Sequence, residues 1–321
     1  MPTDKTALEK AAGKYGEMLQ AMRDRAETRL AEVTARDPRI GEIDREMRLT
    51  GLAAVRAALD GGADTLQARV RQTAERNLAL QKERASRLEA LGHPADYLYA
   101  GPFCYRCGDM GYVDGRICGC FAPFYEQELR AQFDEALGMG CPPFDEGLFA
   151  RADAVDDPEA FLARCRQYAA RLGSGAESLL LTGGTGRGKT MLAAYIAHEA
   201  IRQGTAVLYV TAQRYFALRE EARFGRDEEA AEEADRYRDC PALVLDDLGL
   251  EAQSAGNAPE LLALLNARAA AQRPMILCTS LRADKLEQRY SGAAASRIEN
   301  GFRTVELRSG DLRRVFRPAA F

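Results

Sequence analysis

The apolar run Leu179-Leu180-Leu181-Thr182 leads directly into Gly183-Gly184-Thr185-Gly186-Arg187-Gly188-Lys189-Thr190, and no other feature narrows the fold as much. The spacing is G-x-x-x-x-G-K-[ST], a P-loop, which belongs where a strand ends, a glycine-rich loop curls and a helix begins. Glycine lets that backbone curl until its N–H groups converge on phosphate oxygens, and the following helix N-terminus adds its dipole. Gly183, Gly184, Thr185, Gly186, Arg187 and Gly188 are therefore the expected nucleotide cradle. Lys189 is expected to reach the β- and γ-phosphates, and the Thr190 hydroxyl to ligate Mg²⁺. A glycine-rich turn that binds no nucleotide would leave the full spacing and the flanking strand unexplained.

Downstream, short apolar runs alternate with helical segments. The runs are Ser178 to Thr182, Ala206 to Thr211, Ala242 to Asp246, Met275 to Thr279 and Phe302 to Leu307. Helical spacing lies between them, near Lys189 to Gln203, Gln213 to Arg223, Ala258 to Ala271 and Ala283 to Tyr290. Such alternation predicts an α/β fold, a mostly parallel sheet covered on both faces. The acidic stretch Asp227 to Asp239 reads as an exposed helix or loop, and no internal repeat is visible. The run Leu243-Val244-Leu245 ends in Asp246-Asp247-Leu248-Gly249. A carboxylate at a strand tip beside a P-loop suits magnesium, which assigns Asp246. Asp247 is then placed to orient or deprotonate an attacking water, its plainer alternative being a cap on Leu248-Gly249. With the P-loop, the two acids indicate hydrolysis of a nucleoside triphosphate.

Together, Gly183 to Thr190, Leu245-Asp246-Asp247-Leu248-Gly249 and Ala295-Ser296-Arg297-Ile298 resemble AAA+ ATPases of the DnaC/DnaI helicase-loader and IstB group. The resemblance runs roughly from Pro142 onward. It implies a RecA-like αβα P-loop core of AAA+ type and ATP as the nucleotide. It also implies an arginine finger at Arg297, which would stabilise charge on a neighbouring subunit's γ-phosphate and so require self-association. The plainer reading of Arg297 is a surface salt bridge. One position departs from the family pattern. Met275-Ile276-Leu277-Cys278-Thr279-Ser280 resembles the sensor-1 strand, but Leu281 stands where the family usually has Asn, which puts turnover in doubt and leaves Thr279 or Ser280 to substitute. Ser309-Gly310-Asp311-Leu312-Arg313-Arg314 also matches the group, with no full helical lid expected after it.

Composition sets limits around this core. Of 321 residues, 29% are charged, with 44 basic against 48 acidic, so the net charge is −4 and a globally basic nucleic-acid coat is excluded. Met1-Pro2-Thr3-Asp4-Lys5 has no apolar run behind it, and no stretch approaches the roughly 20 apolar residues that span a bilayer. The expectation is a cytoplasmic protein without membrane contact. In that setting the eight cysteines divide. Cys104, Cys107, Cys118 and Cys120 give C-x₂-C-x₁₀-C-x-C, two tight turns able to close a tetrahedral Zn²⁺ site, with Met110 to Gly115 as a short hairpin between them. A redox C-x-x-C would explain neither the second pair nor its spacing. Cys240 and Cys278 read as buried thiols in core strands, Cys141 and Cys165 carry no pattern, and His93 and His198 read as structural.

From Met1 to Leu91 the chain is rich in Ala, Arg, Glu and Leu, with breaks at Asp37-Pro38, Gly61-Gly62 and Gly92-His93-Pro94. Three helices follow, Thr6-x-x-Glu9 being a candidate capping box for the first. The expected domains are a helical domain over 1–95, a Cys₄ zinc ribbon over 96–121, a connector over 122–150 and the AAA+ domain over 151–321. A ribbon after a helical region resembles DnaI-type loaders, which implies a replicative helicase and single-stranded DNA as partners. Arg214, Tyr215, Phe216, Arg219 and Arg223 form one candidate DNA-contacting group, although aromatics at the start of an amphipathic helix are more often core. Arg303, Arg308, Arg313, Arg314 and Arg317 form a second. The same core admits two other readings: an IstB-type transposition helper, and an ATP-binding adaptor with little turnover.

Overall fold

A computed structural model of the chain describes residues 4–60, 63–99, 101–138, 141, 143–151, 155–225 and 227–308. The Gly61-Gly62 break and Ser309 to Arg317, including Arg313 and Arg314, lie outside the described residues. The chain divides into two compact units, one holding residues up to Ala12 together with Phe121 onward, the other Gly13–Cys120.

The Gly13–Cys120 unit contains most of α1 (Lys5–Arg36), then α2 (Pro38–Asp60) and α3 (Ala63–Ala90). Ala7 N donates to Asp4 Oδ1 at 2.9 Å, so Asp4 caps α1 and the Thr6-Glu9 box is not used. An aspartate one residue before the helix fits the N-cap better than a threonine already inside it. Pro38 opens α2, where its missing N–H costs nothing. Among the described residues, Val33, Ile40, Leu88 and Leu98 form a buried cluster here, flanked by Leu30, Leu91 and Tyr97. Around it Arg39 bonds Glu83 at 3.0 Å and Glu46 at 2.9 Å. Such half-exposed pairs add little individually. The cysteine segment follows as a hairpin, β1 (Tyr112–Val113) against β2 (Arg116–Ile117), turning on Asp114 and Gly115 with φ 51 and 71. Positive φ at both turn residues is the tight hairpin geometry that Asp-Gly favours.

The larger unit is built on a five-stranded parallel sheet. Its strands are β3 (Ser178–Thr182), β4 (Val207–Thr211), β5 (Ala242–Leu248), β6 (Met275–Thr279) and β7 (Phe302–Glu306), in spatial order β4-β5-β6-β3-β7. These are the five runs of the sequence; β3 to β6 are mostly buried and continuously apolar because helices cover both faces, whereas the edge strand β7 is half-buried to exposed. The covering helices are α7 (Lys189–Arg202), α8 (Ala212–Phe224), α9 (Glu228–Asp239), α10 (Asn257–Ala270), α11 (Ala283–Tyr290) and α12 (Gly292–Gly301). Layering and strand order are those of a RecA-like αβα core, with the P-loop strand β3 between β6 and β7. On α7, Leu192, Ala193, Ile196, Ala197 and Ala200 are wholly buried, a stripe at helical period that lets the helix lie close to the strands.

Two local differences from the sequence expectations have physical reasons. The stretch expected as a connector contains α4 (Ala122–Leu137) and α5 (Glu146–Arg151), followed by α6 (Pro158–Arg171). Tyr125, Leu129 and Phe133 of α4 are buried, the Phe133 ring meeting Tyr209 edge-on at 5.6 Å. The acidic α9 is only half exposed, since Ala230 and Ala234 pack on Leu218. Tyr215 and Phe216 belong to the main core rather than to a DNA face. Two arginines beside them are paired, Arg214 with Glu233 at 3.0 Å and Arg219 with Glu260 at 2.9 Å. Arg303 and Arg308 are exposed. Among the described residues no helix is long and apolar enough to cross a membrane.

Arg268 of α10 is 1% exposed and donates to the carbonyls of Tyr237, Arg238, Cys240 and Pro274 at 2.7–3.1 Å. Arg268→Leu strips several buried carbonyls of their donor, so it should destabilise this unit by about 3 kcal/mol or more, read as a lower thermal midpoint.

Candidate nucleotide site and cysteine cluster

The P-loop leaves β3 at Thr182 and enters α7 at Lys189, with φ 138, 82 and 85 at Gly183, Gly186 and Gly188. A Cβ at Gly183 would stand 2.6 Å from the Leu307 carbonyl oxygen, so only glycine fits there. Arg187 closes the same corner, donating to that carbonyl at 3.2 Å. Thr185 is exposed at the tip of the loop and Thr190 lies in the first turn of α7. The Lys189 ammonium folds under the loop, donating to the Gly183 and Gly184 carbonyls at 2.9 and 3.0 Å. Burial lowers its pKa, while the neighbouring Cys278, Asp246 and Asp247 act to raise it.

The carboxylates arrive from two strands away. Asp246 is fully buried in β5, a costly place for a charge unless hydrogen bonds surround it. Tyr209 of β4 donates its hydroxyl to Asp246 Oδ2 at 2.9 Å, and the Asp247 amide donates to Oδ1 at 2.8 Å. The Cys278 thiol of β6 is also fully buried, within range of the Asp246 charge. Burial, reinforced by the Asp246 charge, holds both the Tyr209 hydroxyl and the Cys278 thiol well above their ordinary pKa values, so both stay neutral beside the acid. Asp247 takes φ 54, which turns its side chain out of the strand and leaves it exposed. The structure therefore brings the P-loop lysine and both acids to one end of the sheet, the carboxyl ends of parallel strands where α/β folds bind ligands.

The sensor-1 position is apolar in space as well as in sequence. Leu281 packs over Gly249, where an added Cβ would meet Leu281 Cδ1 at 2.5 Å. Thr279 donates to the Leu248 carbonyl at 2.6 Å and accepts from the Leu281 amide at 3.1 Å, so its hydroxyl is committed to holding this turn. Ser280 lines a cavity of about 490 Å³ together with Gly183, Gly184 and Arg187. Arg297 lies elsewhere. On α12 it lines a small cleft with Ser178, the first residue of β3, at the strand end opposite the P-loop. It is exposed, and among the described residues it has neither an ion pair nor a hydrogen bond.

In the other unit, the sulfurs of Cys104, Cys107, Cys118 and Cys120 all lie within 4.8 Å of one another. Cys104 and Cys118 are 3.8 Å apart, Cys107 and Cys120 3.4 Å. A tetrahedron of sulfurs about 2.3 Å from a central Zn²⁺ has edges of about 3.8 Å, so the four residues fit that ion and would hold it as thiolates. Asp109 orders the first knuckle, accepting from the Cys104 amide at 2.9 Å and the Phe103 amide at 3.2 Å. The amide of Cys107 lowers the Cys104 thiol to about 7, and burial pushes Cys120 up to about 12. From α1, 105 residues upstream, the Tyr15 hydroxyl stands 3.3 Å from Cys120 Sγ.

Tyr15 and Tyr209 were not singled out in the sequence, where both read as ordinary apolar positions. Their only signal is a hydroxyl in a buried run, and its partner becomes visible only once the chain is folded. Cys278 was expected to be a buried thiol; it is one, and it also faces Asp246. His198 is structural, pairing with Asp134 at 2.7 Å between α7 and α4.

Tyr15→Phe removes one O–H and keeps the ring. If Zn²⁺ occupies the cluster, the variant should yield it to a competing chelator with about tenfold weaker affinity. Tyr209→Phe should likewise raise by about tenfold the Mg²⁺ concentration needed for tight ATP-analogue binding, measured by fluorescence titration.

Residues 170–297 match the profile of the family described as IstB-like ATP binding protein. An ATP-binding protein of insertion sequence IS1162 from Pseudomonas fluorescens is 37% identical over 105 residues, 32% of this chain and 44% of that protein. The matched stretch thus spans less than half of the curated relative. Among solved structures, DnaI shares 24% identity with a TM-score of 0.43, over 51% of this chain and 94% of that one. The DnaC helicase loader shares 19% with a TM-score of 0.41, over 50% and 98%. AMPPCP-bound DnaA from Aquifex aeolicus shares 25% with a TM-score of 0.41, over 48% and 47%. With the strand order and the P-loop described above, the profile match makes residues 170–297 similar to the ATP-binding domain of IstB-like proteins.

Proposed function

We propose that the chain is a Mg²⁺-dependent ATPase that acts in a self-associated form to place a replicative helicase on single-stranded DNA. The observation that carries this reading is the separation of Arg297 from its own P-loop. An exposed arginine without a partner among the described residues, at the far end of β3, is suited to another subunit's γ-phosphate rather than its own. In this reading Gly183 to Gly188 cradle the phosphates, Lys189 leaves the loop carbonyls for the γ-phosphate, and Thr190 and Asp246 hold Mg²⁺. Asp247 activates the water. The cysteine unit meets the helicase. Met22, Tyr99, Phe103, Tyr105 and Met110 of that unit are exposed, with Tyr105 at 76% and Met110 at 74%, a concentration of large apolar side chains that suits a protein partner.

Two other readings have observations of their own. The insertion-sequence relative favours a transposition helper, in which the same ATPase core answers to a transposase and duplex target DNA. Leu281 over Gly249 and the committed Thr279 hydroxyl favour an adaptor that binds ATP with little turnover, leaving Ser280 as the polar group beside the loop.

Steady-state phosphate release separates enzyme from adaptor. Lys189→Ala and Asp247→Asn should each lower it by about a hundredfold, and a wild-type rate no higher than theirs would leave the adaptor reading. Co-purification with a replicative helicase or with a transposase, with and without ATP, separates the first two readings. Tyr105→Ser combined with Met110→Ser should weaken helicase capture by about tenfold or more without changing ATP affinity. Capture that survives the double substitution would move the partner surface elsewhere.

A further inference from the structure

Four residues beyond the proposed water-activating Asp247 lies a second acid, Glu251, that no part of the ATPase scheme uses. Its side chain is 3% exposed. Oε2 accepts from the Gly249 amide at 2.9 Å. Oε1 accepts from the Tyr290 hydroxyl at 2.6 Å and from Arg289 Nε at 3.1 Å, and Arg289 also donates to the Glu251 carbonyl. One carboxylate therefore clamps two pieces of structure: the turn immediately after β5, and the C-terminal end of α11.

Both pieces matter for position. The turn is where Asp247 leaves the strand. Asp247 has φ 54 and Gly249 φ 103, and the Leu250 amide closes the loop on the Asp247 carbonyl at 3.1 Å. A backbone in that region is held by its surroundings rather than by its own preference, and the Gly249 N–H bound to Glu251 is one of the fixing contacts. At the other piece, α11 runs straight into α12 through Ser291, whose φ is 144, and α12 carries Arg297. A buried ion pair is weak evidence for stability, because apolar side chains of similar volume often serve as well. Its contacts here point to placement instead.

We propose that Glu251 is a positioning residue for ATP hydrolysis. It fixes the turn that aims Asp247 and ties that turn to the helix pair bearing Arg297. The acid of one ATP site and the arginine offered to the next subunit's site then move as one body. The inference rests on the reading of Asp247 and Arg297 given above.

The test compares the full-length wild type with Glu251→Gln and Tyr290→Phe, measuring affinity for a fluorescent ATP analogue and phosphate release across an ATP titration. Glu251→Gln keeps the shape and loses the charge that holds Arg289. It should lower kcat by about tenfold or more while KM and analogue affinity stay within about twofold. Tyr290→Phe removes a single O–H and should lower kcat by a smaller factor in the same pattern. A purely structural role would instead lower the thermal midpoint and weaken nucleotide binding together with rate, and that result overturns the proposal. So does a wild-type kcat in folded Glu251→Gln, or in Tyr290→Phe should the glutamine variant fail to fold. A wild type that releases no phosphate overturns the hydrolysis reading and this one together, whereas an active wild type with undiminished variants removes this one alone.

Discussion

The register of β3 against β6 decides the geometry of the nucleotide site. Leu181 lies opposite Cys278 and Thr182 opposite Thr279, while Leu245 of β5 lies opposite Leu277. At that alignment the P-loop leaves its strand level with the threonine that holds the Leu248 carbonyl, and the Cys278 thiol meets Asp246. A slip of one residue would turn every side chain of β6 to the opposite face, taking Cys278 away from the acid. What secures the register is apolar burial along the three central strands, where Leu181, Leu243, Val244, Leu245, Ile276, Leu277 and Cys278 are completely covered. A charged Asp246 in such a place is tolerable because the Tyr209 hydroxyl and its own neighbour's amide both donate to it.

The Gly13–Cys120 unit solves a different physical problem. Its helices are laced with Arg–Glu pairs around buried Val33, Ile40, Leu88 and Leu98. A metal cross-link in such a unit adds its binding energy directly to the folding energy. The four sulfurs are spaced for such a link, and Tyr15 brings α1 within reach of it. The cysteine segment falls in the same compact unit as the helices.

How much of this was legible in the sequence depends on the range of the interaction concerned. The strands Ser178–Thr182 and Met275–Thr279 have the expected bounds, since three or four consecutive buried apolar residues announce themselves locally. The helices after the P-loop, the Asp114-Gly115 turn and the C-x₂-C-x₁₀-C-x-C spacing were legible for the same reason. The α4 helix was not, because Phe, Pro and Gly around it imitate a linker, and only its burial against β4 shows it to be integral. Tyr215 and Phe216 read more readily as core than as a stacking platform, and α8 turns them inward. Tyr209, Tyr15 and Glu251 were invisible, since each acts through a partner separated by a fold rather than by a spacing. The Asp4 cap was missed for a smaller reason. Asp4 caps α1 through its side chain alone, with Ala7 rather than an acid three residues on, so it lacks the paired signature of a capping box.

The contact between Gly183 and Leu307 has a practical consequence. The carbonyl of Leu307 is both the wall that forbids a side chain at the first P-loop glycine and the acceptor for Arg187. Its amide in turn donates to the Thr182 carbonyl at 2.9 Å. Anything fused or labelled just beyond Leu307 therefore pulls on the roof of the phosphate loop. A tag or fluorophore there would report on, and disturb, the very segment it was meant to leave alone. Spectroscopic probes of this molecule belong on the exposed outer faces of α2 or α9, where a change in the label stays a change in the label.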